Sequence, residues 1–334
     1  MIKIGVVGLG RIGKVHLFNI QHIISDAIVT AACSGSEKSL EYAKKHNVKG
    51  LFTSFDDMLS EGGIDAVIIA SPTVLHFEHL KLAIAAGKHI FCEKPIDLSI
   101  ENVKQIKNLL DANPVKFMVG FNRRYDPNVL KIKKELNEGK LGAPQSVKII
   151  SRDPGPPPME FIKTSGGLFL DMAIHDFDLA RYLMNSEITE VYSTASIFGD
   201  LPLETVEDVD TAVTILKFKN KGFATIENSR NSTYGYDQRI EVFGEKGLLS
   251  SQNKSDDSVY FANNSGLHGP KPVGFFIERY KESYINILDS FVQCLEQNND
   301  SELTFQDGLK SLAISLAAEK SSKQNRTVLL SEII

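Results

Sequence analysis

Residues 166 to 184, GGLFLDMAIHDFDLARYLM, set four polar side chains at a spacing suited to acid–base chemistry. On a helix turning about 100° per residue, Asp171, His175, Asp178 and Tyr182 share one narrow sector. Met172, Ala173, Phe177, Leu179, Ala180, Leu183 and Met184 fill most of the remaining circumference. A solvated face would mix Lys, Glu and Gln; this one aligns carboxylate, imidazole, carboxylate and phenol. An imidazole takes or gives a proton near neutrality, and a carboxylate one turn away can orient the ring and stabilise its charged form. Two other readings use the same residues. Asp171, His175 and Asp178 could hold a metal ion, although no HxxxH pair or cysteine accompanies them, and no metal is expected. His175 could also be a core histidine satisfied by an aspartate.

A second set of residues suits a dinucleotide. Gly8-Leu9-Gly10-Arg11-Ile12-Gly13 follows an apolar run and opens a helix-like segment, the context in which GxGxxG is specific. Gly8 permits the tight turn, Gly10 lets a pyrophosphate approach the backbone, and Gly13 lets helix and strand pack closely. The helix start adds unpaired N–H groups and partial positive charge. The second strand-like run ends Ala31-Ala32-Cys33-Ser34, with Ser34 where an NAD-selective site usually carries an acid for the ribose 2′-OH. A small hydroxyl with Arg11 and Lys38 nearby in sequence would accommodate a 2′-phosphate. The expected cofactor is therefore NAD or NADP, with NADP at least tolerated and Glu37 as the competing reader of the ribose.

A third stretch is Cys92-Glu93-Lys94-Pro95, which closes another apolar run. A lysine at the carboxyl end of a parallel strand stands where open α/β sheets bind ligands. It can hold a substrate hydroxyl, polarise it and pass a proton. Alone, the tripeptide EKP reads equally well as a surface turn.

These residues need elements to position them. Apolar runs at 2–8, 27–33, 66–71, 89–94 and 115–121 alternate with helical segments, among them one closed by Gly87 and one opened by Ser99. Near-continuous apolar strands joined by helices predict a parallel, doubly wound Rossmann sheet over residues 1–121. From residue 122 the pattern changes to a helix near 127–138, a strand near 145–152, the proline-rich RDPGPPP and the polar-striped helix. Long alternating runs follow, TEVYSTASIFG, VDTAVTILKF, GFATIENSR and RIEVFGEKGLLSS, then a Ser/Asn/Gly-rich stretch at 250–274 that predicts a loop, and closing helices. Alternation predicts a large, open, mostly antiparallel sheet in a second α/β domain spanning 122–334.

The bulk properties narrow the function classes. The 334 residues are 42% hydrophobic and 24% charged, ordinary values for a soluble protein, and the net charge of −5 argues against nucleic acid as a partner. Cys33, Cys92 and Cys294 are too few and scattered for a disulfide framework. No apolar run is long enough to cross a membrane, and the first residues start directly as a strand. A cytoplasmic location with no membrane partner is expected.

Taken together, GVVGLGRIGKVH, SPTVLH (71–76), CEKP (92–95), GFNRRYD (120–126) and GGLFLDMAIHDFDLARYL resemble the Gfo/Idh/MocA oxidoreductases over essentially the whole length. Within that family, SRDPGPPP, the DMAIHDFD run and STYGYDQRIEVFGEKG are most similar to inositol 2-dehydrogenases. The resemblance implies a Rossmann domain, a substrate-binding α/β domain whose open sheet commonly serves oligomerisation as a dimer or tetramer, and a catalytic set falling on Lys94, Asp171 and His175. It also implies cofactor contacts from Ser71, Pro72, His76 and Glu93, with Pro72 and His76 beside the nicotinamide, and substrate contacts from Arg123, Asp153 and Tyr236. Arg124 is divided between such a contact and an ion pair; Asp178 and Tyr182 read as supporting groups. The expected reaction is hydride transfer between a cyclic polyol hydroxyl and nicotinamide. A sugar dehydrogenase or keto-sugar reductase is the enzymatic alternative, and a dinucleotide sensor without catalysis is the alternative of another class.

Overall fold

The structure, a computed structural model, describes all 334 residues. It holds two compact units, Met1–Tyr125 with Glu282–Leu312 and Asp126–Lys281 with Ala313–Ile334.

The first unit is built on six parallel strands: β1 (Ile2–Val7), β2 (Ala27–Cys33), β3 (Gly50–Phe52), β4 (Ala66–Ile69), β5 (His89–Cys92) and β6 (Phe117–Val119). Their order, β3-β2-β1-β4-β5-β6, is that of a doubly wound dinucleotide-binding sheet. Ile4, Val6, Ala66 to Ile69, Ile90 and Phe91 are completely buried, as strands covered on both faces require. The order reverses between β1 and β4, so the loops after these two strands flank the crevice in which such sheets bind ligands. Ser99 caps the helix Ile100–Ala112 by accepting from the Asn102 N–H.

Alternation predicted the second sheet well. It comprises β7 (Pro144–Arg152), β8 (Ile188–Ser196), β9 (Thr211–Phe218), β10 (Phe223–Ser229), β11 (Asp237–Gly244) and β12 (Gly247–Ser251). With the short strand Val328–Leu329 at one edge it is seven-stranded, and its neighbours are antiparallel except β7 and β10. One face buries Val147, Ile149, Ala224, Ile226, Leu216 and Val242 beneath the helix Ile174–Met184.

Three expectations need correction. The stretch 250–274 is not all loop, because Phe261–Asn263 and Gly266–His268 pair as a hairpin. Residues 122–334 are not one unit, because the chain returns to the first unit at 282–312. There Phe291 lies against Phe91 and Phe305 against Phe117 at ring-centroid distances of 5.7 and 5.3 Å, contacts too remote in sequence to be read from pattern. The polar-striped segment is not one α-helix either: Leu168–Ala173 forms a π-helical turn before the α-helix Ile174–Met184 begins.

Candidate active site

In the first unit the glycine loop is built by close approach. Gly8 has φ +87°, and a Cβ there would sit 2.3 Å from the Ser71 nitrogen at the end of β4. A Cβ on Gly13 would meet the Gly8 carbonyl oxygen at 1.8 Å, so the helix Arg11–His22 packs against the loop only with glycine there. Gly10 differs: nothing lies within 4 Å of a Cβ built on it, and no side chain caps the helix it precedes. Open space therefore lies over the start of this helix, which fits a pyrophosphate on its first-turn N–H groups. Arg11 is exposed and Ile12 half-buried beside this opening.

Ser34 follows β2 as expected, and its Oγ accepts from the Ser36 N–H at 3.2 Å. No carboxylate replaces it; Glu37 and Lys38 are both exposed on the first turn of the next helix. Cys33 is buried, and desolvation, with Asp57 nearby, pushes its thiol up to about 11, so it is an inert core group.

Lys94 is half-buried directly after β5, and the residues around it are braced on both sides. Glu93 pairs with His16 at 2.7 Å, and His16 is completely buried with Phe91 and Tyr284 edge-on to its ring. Glu93 is therefore engaged in holding the strand end. His76 is also buried, its ring nitrogens 2.8 Å from the Pro95 carbonyl and 2.9 Å from that of Ser71. Burial pushes its pKa down against these two carbonyls, and a neutral ring donates to only one of them. His76 thus ties the loop after β4 to the Lys94-Pro95 segment. Ser71 turns its hydroxyl to His79 at 2.9 Å, and Pro72 is exposed. The sequence reading missed His16; its signal was a position on the buried face of the helix with Gly13, Leu17 and Ile20.

The two arginines of GFNRRYD are both buried. Arg124 pairs with Asp307 at 2.9 Å, which assigns it to the structural ion pair. Burial alone would raise the Asp307 pKa, but Arg124 and the Thr304 N–H outweigh it and hold the carboxyl below its ordinary value.

In the second unit, Gly166 and Gly167 (φ +84° and +77°) turn the chain into the π-helical turn that carries Asp171. Asp208 accepts from the Leu168 N–H at 2.8 Å, and a Cβ on Gly167 would lie 2.5 Å from the same carboxylate. Arg230, just beyond β10 and only 1% exposed, reaches Asp208 at 3.0 Å with one amino group and Asp171 at 3.3 Å with the other. One turn on, completely buried Asp176 accepts from Asn228 at 2.8 Å and from Gln238 at 3.5 Å. His175 and Asp171 remain half-buried on the open side.

The stripe seen in sequence is only partly real. Asp178 is 1% exposed, and the Tyr182 ring lies under the Lys133 ammonium at 4.4 Å, so both serve packing. No group of three His, Cys, Asp or Glu side chains has a geometry that could hold a metal ion. Asp153 is half-buried directly after β7, fixed by its N–H to the Ser229 carbonyl at 2.8 Å and by its carbonyl to the Ser232 N–H at 2.9 Å. Tyr236 is 1% exposed, with its ring edge-on to Tyr280 at 5.9 Å. The missed residues are Asp176, Asp208, Asn228 and Arg230. Strand alternation put Asn228 and Arg230 on the face of Ala224 and Ile226, and a polar pair on a core face was the signal.

Two family models match the chain: an oxidoreductase family with an NAD-binding Rossmann fold over residues 2–121, and the GFO/IDH/MocA C-terminal domain over residues 129–250. The chain is 40% identical to a myo-inositol 2-dehydrogenase of Thermotoga maritima over 334 residues, covering 100% of both proteins. It is 38% identical to an inositol 2-dehydrogenase of Rhizobium meliloti, covering 98% of each. Among solved structures, the scyllo-inositol dehydrogenase from Lactobacillus casei with bound NAD(H) and scyllo-inositol superposes with a TM-score of 0.93 at 34% identity, covering 99% of each chain.

Proposed function

The chain belongs to the Gfo/Idh/MocA oxidoreductase family, and from that premise we propose that it is an NAD-dependent inositol 2-dehydrogenase, oxidising one ring hydroxyl of an inositol to a ketone. The observation that carries this reading is full-length similarity to dehydrogenases of myo- and scyllo-inositol combined with an intact Lys94, Asp171 and His175. A dinucleotide sensor would have no use for a proton-transfer set.

Gly8, Gly10 and Gly13 with the first-turn N–H groups would hold the pyrophosphate, and Ser34 would receive the adenine ribose. Bound nicotinamide supplies the hydride acceptor. Lys94 keeps the reacting hydroxyl polarised, and His175 takes its proton as the carbon loses hydride. Asp171 orients the imidazole and stabilises it once protonated. Arg123, Asp153 and Tyr236 would bind the remaining hydroxyls of the ring, where recognition of a polyol needs several fixed polar groups. With no acid in place of Ser34, NADP is tolerated beside NAD.

The outer face of the second sheet supports assembly of identical subunits. Register aligns Phe223, Phe243 and Leu248 in one row, and Val213 and Ile215 share that face. All five are between 42% and 52% exposed, an apolar patch suited to a dimer or tetramer interface.

The test is a screen of myo-inositol, scyllo-inositol, other cyclic polyols and aldoses with both cofactors, read by nicotinamide absorbance. Turnover confined to aldoses would replace the inositol reading with a sugar dehydrogenase. Cofactor binding with no turnover on any substrate would favour the sensor.

A further inference from the structure

Arg230 is among the largest completely buried side chains in the protein. A guanidinium at 1% exposure persists only with compensating charge, and two carboxylates provide it. The two are not equivalent. Asp208 has a side chain 6% exposed, whereas that of Asp171 is 22% exposed. Asp208 and Arg230 thus form the buried end of a chain of charges that emerges at Asp171.

Geometry makes this chain a closed ring. Asp208 accepts from the backbone of Leu168, the first residue of the π-helical turn, at 2.8 Å. Its second oxygen accepts from the Arg230 Nη1, and Nη2 donates to Oδ2 of Asp171 three residues further along the same turn. A planar guanidinium fixes the direction between its two amino groups. Backbone, Asp208, Arg230 and Asp171 therefore constrain one another. Single π-helical turns recur at functional sites, and the ring ties this one at both Leu168 and Asp171.

We propose that Arg230, anchored by Asp208, is a positioning residue for the oxidation, holding Oδ2 of Asp171 and so fixing the direction of that carboxylate one turn before the catalytic imidazole. The inference rests on the assignment of Asp171 and His175 as the acid–base pair. Arg230 touches neither substrate nor cofactor in this role; it acts through Asp171 alone. Removing it lowers kcat and leaves the affinity for NAD unchanged.

Steady-state kinetics on Arg230→Met, Arg230→Lys, Asp171→Asn and the double variant Asp171→Asn/Arg230→Met test this, with NADH binding and thermal melting on each. Arg230→Met is expected to lower kcat by roughly 10- to 100-fold, with KM for NAD within about threefold of wild type. The double variant is expected to be no slower than Asp171→Asn alone, because residues acting as one unit do not add. Arg230→Lys keeps charge and most of the bulk but not the fork; it should melt near wild type yet lose about tenfold in kcat. Arg230→Ala should regain activity with added guanidinium but not with urea. Wild-type kcat in Arg230→Lys, or losses that multiply in the double variant, overturns the proposal while leaving Asp171 catalytic. Wild-type turnover in Asp171→Asn overturns the acid–base assignment and the proposal with it.

Discussion

The glycine loop after β1 and the π-helical turn before Ile174 both open a helix, and they are assembled in opposite ways. The loop draws its shape from six consecutive residues and the Ser71 backbone against Gly8, with Gly8 and Gly13 barred from carrying a side chain by nearby backbone and Gly10 left open. The turn draws its shape from three separate places in the sequence: the run from Gly166 to Asp171, Asp208 and Arg230. A loop of backbone N–H groups binds any suitably placed anion, so local geometry suffices. A proton-transfer pair tolerates only small errors in direction, so charges from distant segments brace it. Damage to the two regions should differ accordingly.

The largest effects should come from the acid–base side. Lys94→Met and His175→Ala are each expected to lower kcat by roughly 10²–10⁴-fold, the range for a lost positioned proton-transfer group. NADH binding, followed by fluorescence, should be nearly unchanged in both. Turnover within a few-fold of wild type removes the residue from the mechanism, and lost cofactor binding in Lys94→Met would move Lys94 to the dinucleotide site.

The glycine loop can be split in two by the same substitution. Gly13→Ala puts a methyl 1.8 Å from a carbonyl oxygen and should lower the melting temperature by several degrees along with NAD affinity. Gly10→Ala meets nothing within 4 Å, so it should melt as wild type and bind NAD about tenfold more weakly. Equal thermal losses in both variants would contradict an open phosphate cradle at Gly10.

A buried ion pair outside both regions calibrates stability. Asp307→Asn removes the carboxylate charge facing the buried Arg124 guanidinium and should cost about 2 kcal/mol at pH 7 in denaturant unfolding. The Asp307 carboxyl titrates lower in the folded protein than in the unfolded chain. Its contribution is therefore complete above the unfolded carboxylate pKa of about 4 and is lost as pH falls through the folded value. The stability gap between wild type and variant should narrow only below about pH 4; a gap that narrows between pH 8 and 6 would implicate another group.

The smallest effect concerns the cofactor. Ser34→Asp adds an acceptor for the ribose hydroxyl and a charge that repels a 2′-phosphate. It should shift the ratio of kcat/KM for NAD over NADP by about tenfold. A wild type restricted to NAD and unchanged by this substitution would make Glu37 the reader of the ribose.

Legibility followed the same division. The loop, its three glycines, Ser34 and Lys94 were readable because a fixed spacing or a strand end marks each, even though the backbone that demands Gly8 is that of distant Ser71. The strands of both sheets were readable from unbroken and alternating apolar runs, apart from three-residue β3 and the two-residue edge strand Val328–Leu329, too short to show a period. The helix stripe set Asp178 and Tyr182 apart as supporting groups, but ideal helical spacing hid both the π-helical turn and what packs on each side. His76 and Glu93 were identified as cofactor contacts; what the sequence did not show is that they also brace the chain around Lys94. Asp208 could not have been found at all: it sits in an irregular segment with no period, and only the fold brings it to Leu168.

Hydride transfer from an inositol carbon to nicotinamide leaves an isotopic record that no other reaction of the two would leave. The purified enzyme would be given NAD and myo-inositol deuterated at the hydroxyl-bearing carbon to be oxidised, with reduced cofactor and ketone analysed by mass spectrometry. The account predicts deuterium in the reduced nicotinamide, a matching inosose, and neither product from Lys94→Met. Reduced cofactor without the label, or no reduction with either myo- or scyllo-inositol while an aldose reacts, would contradict it.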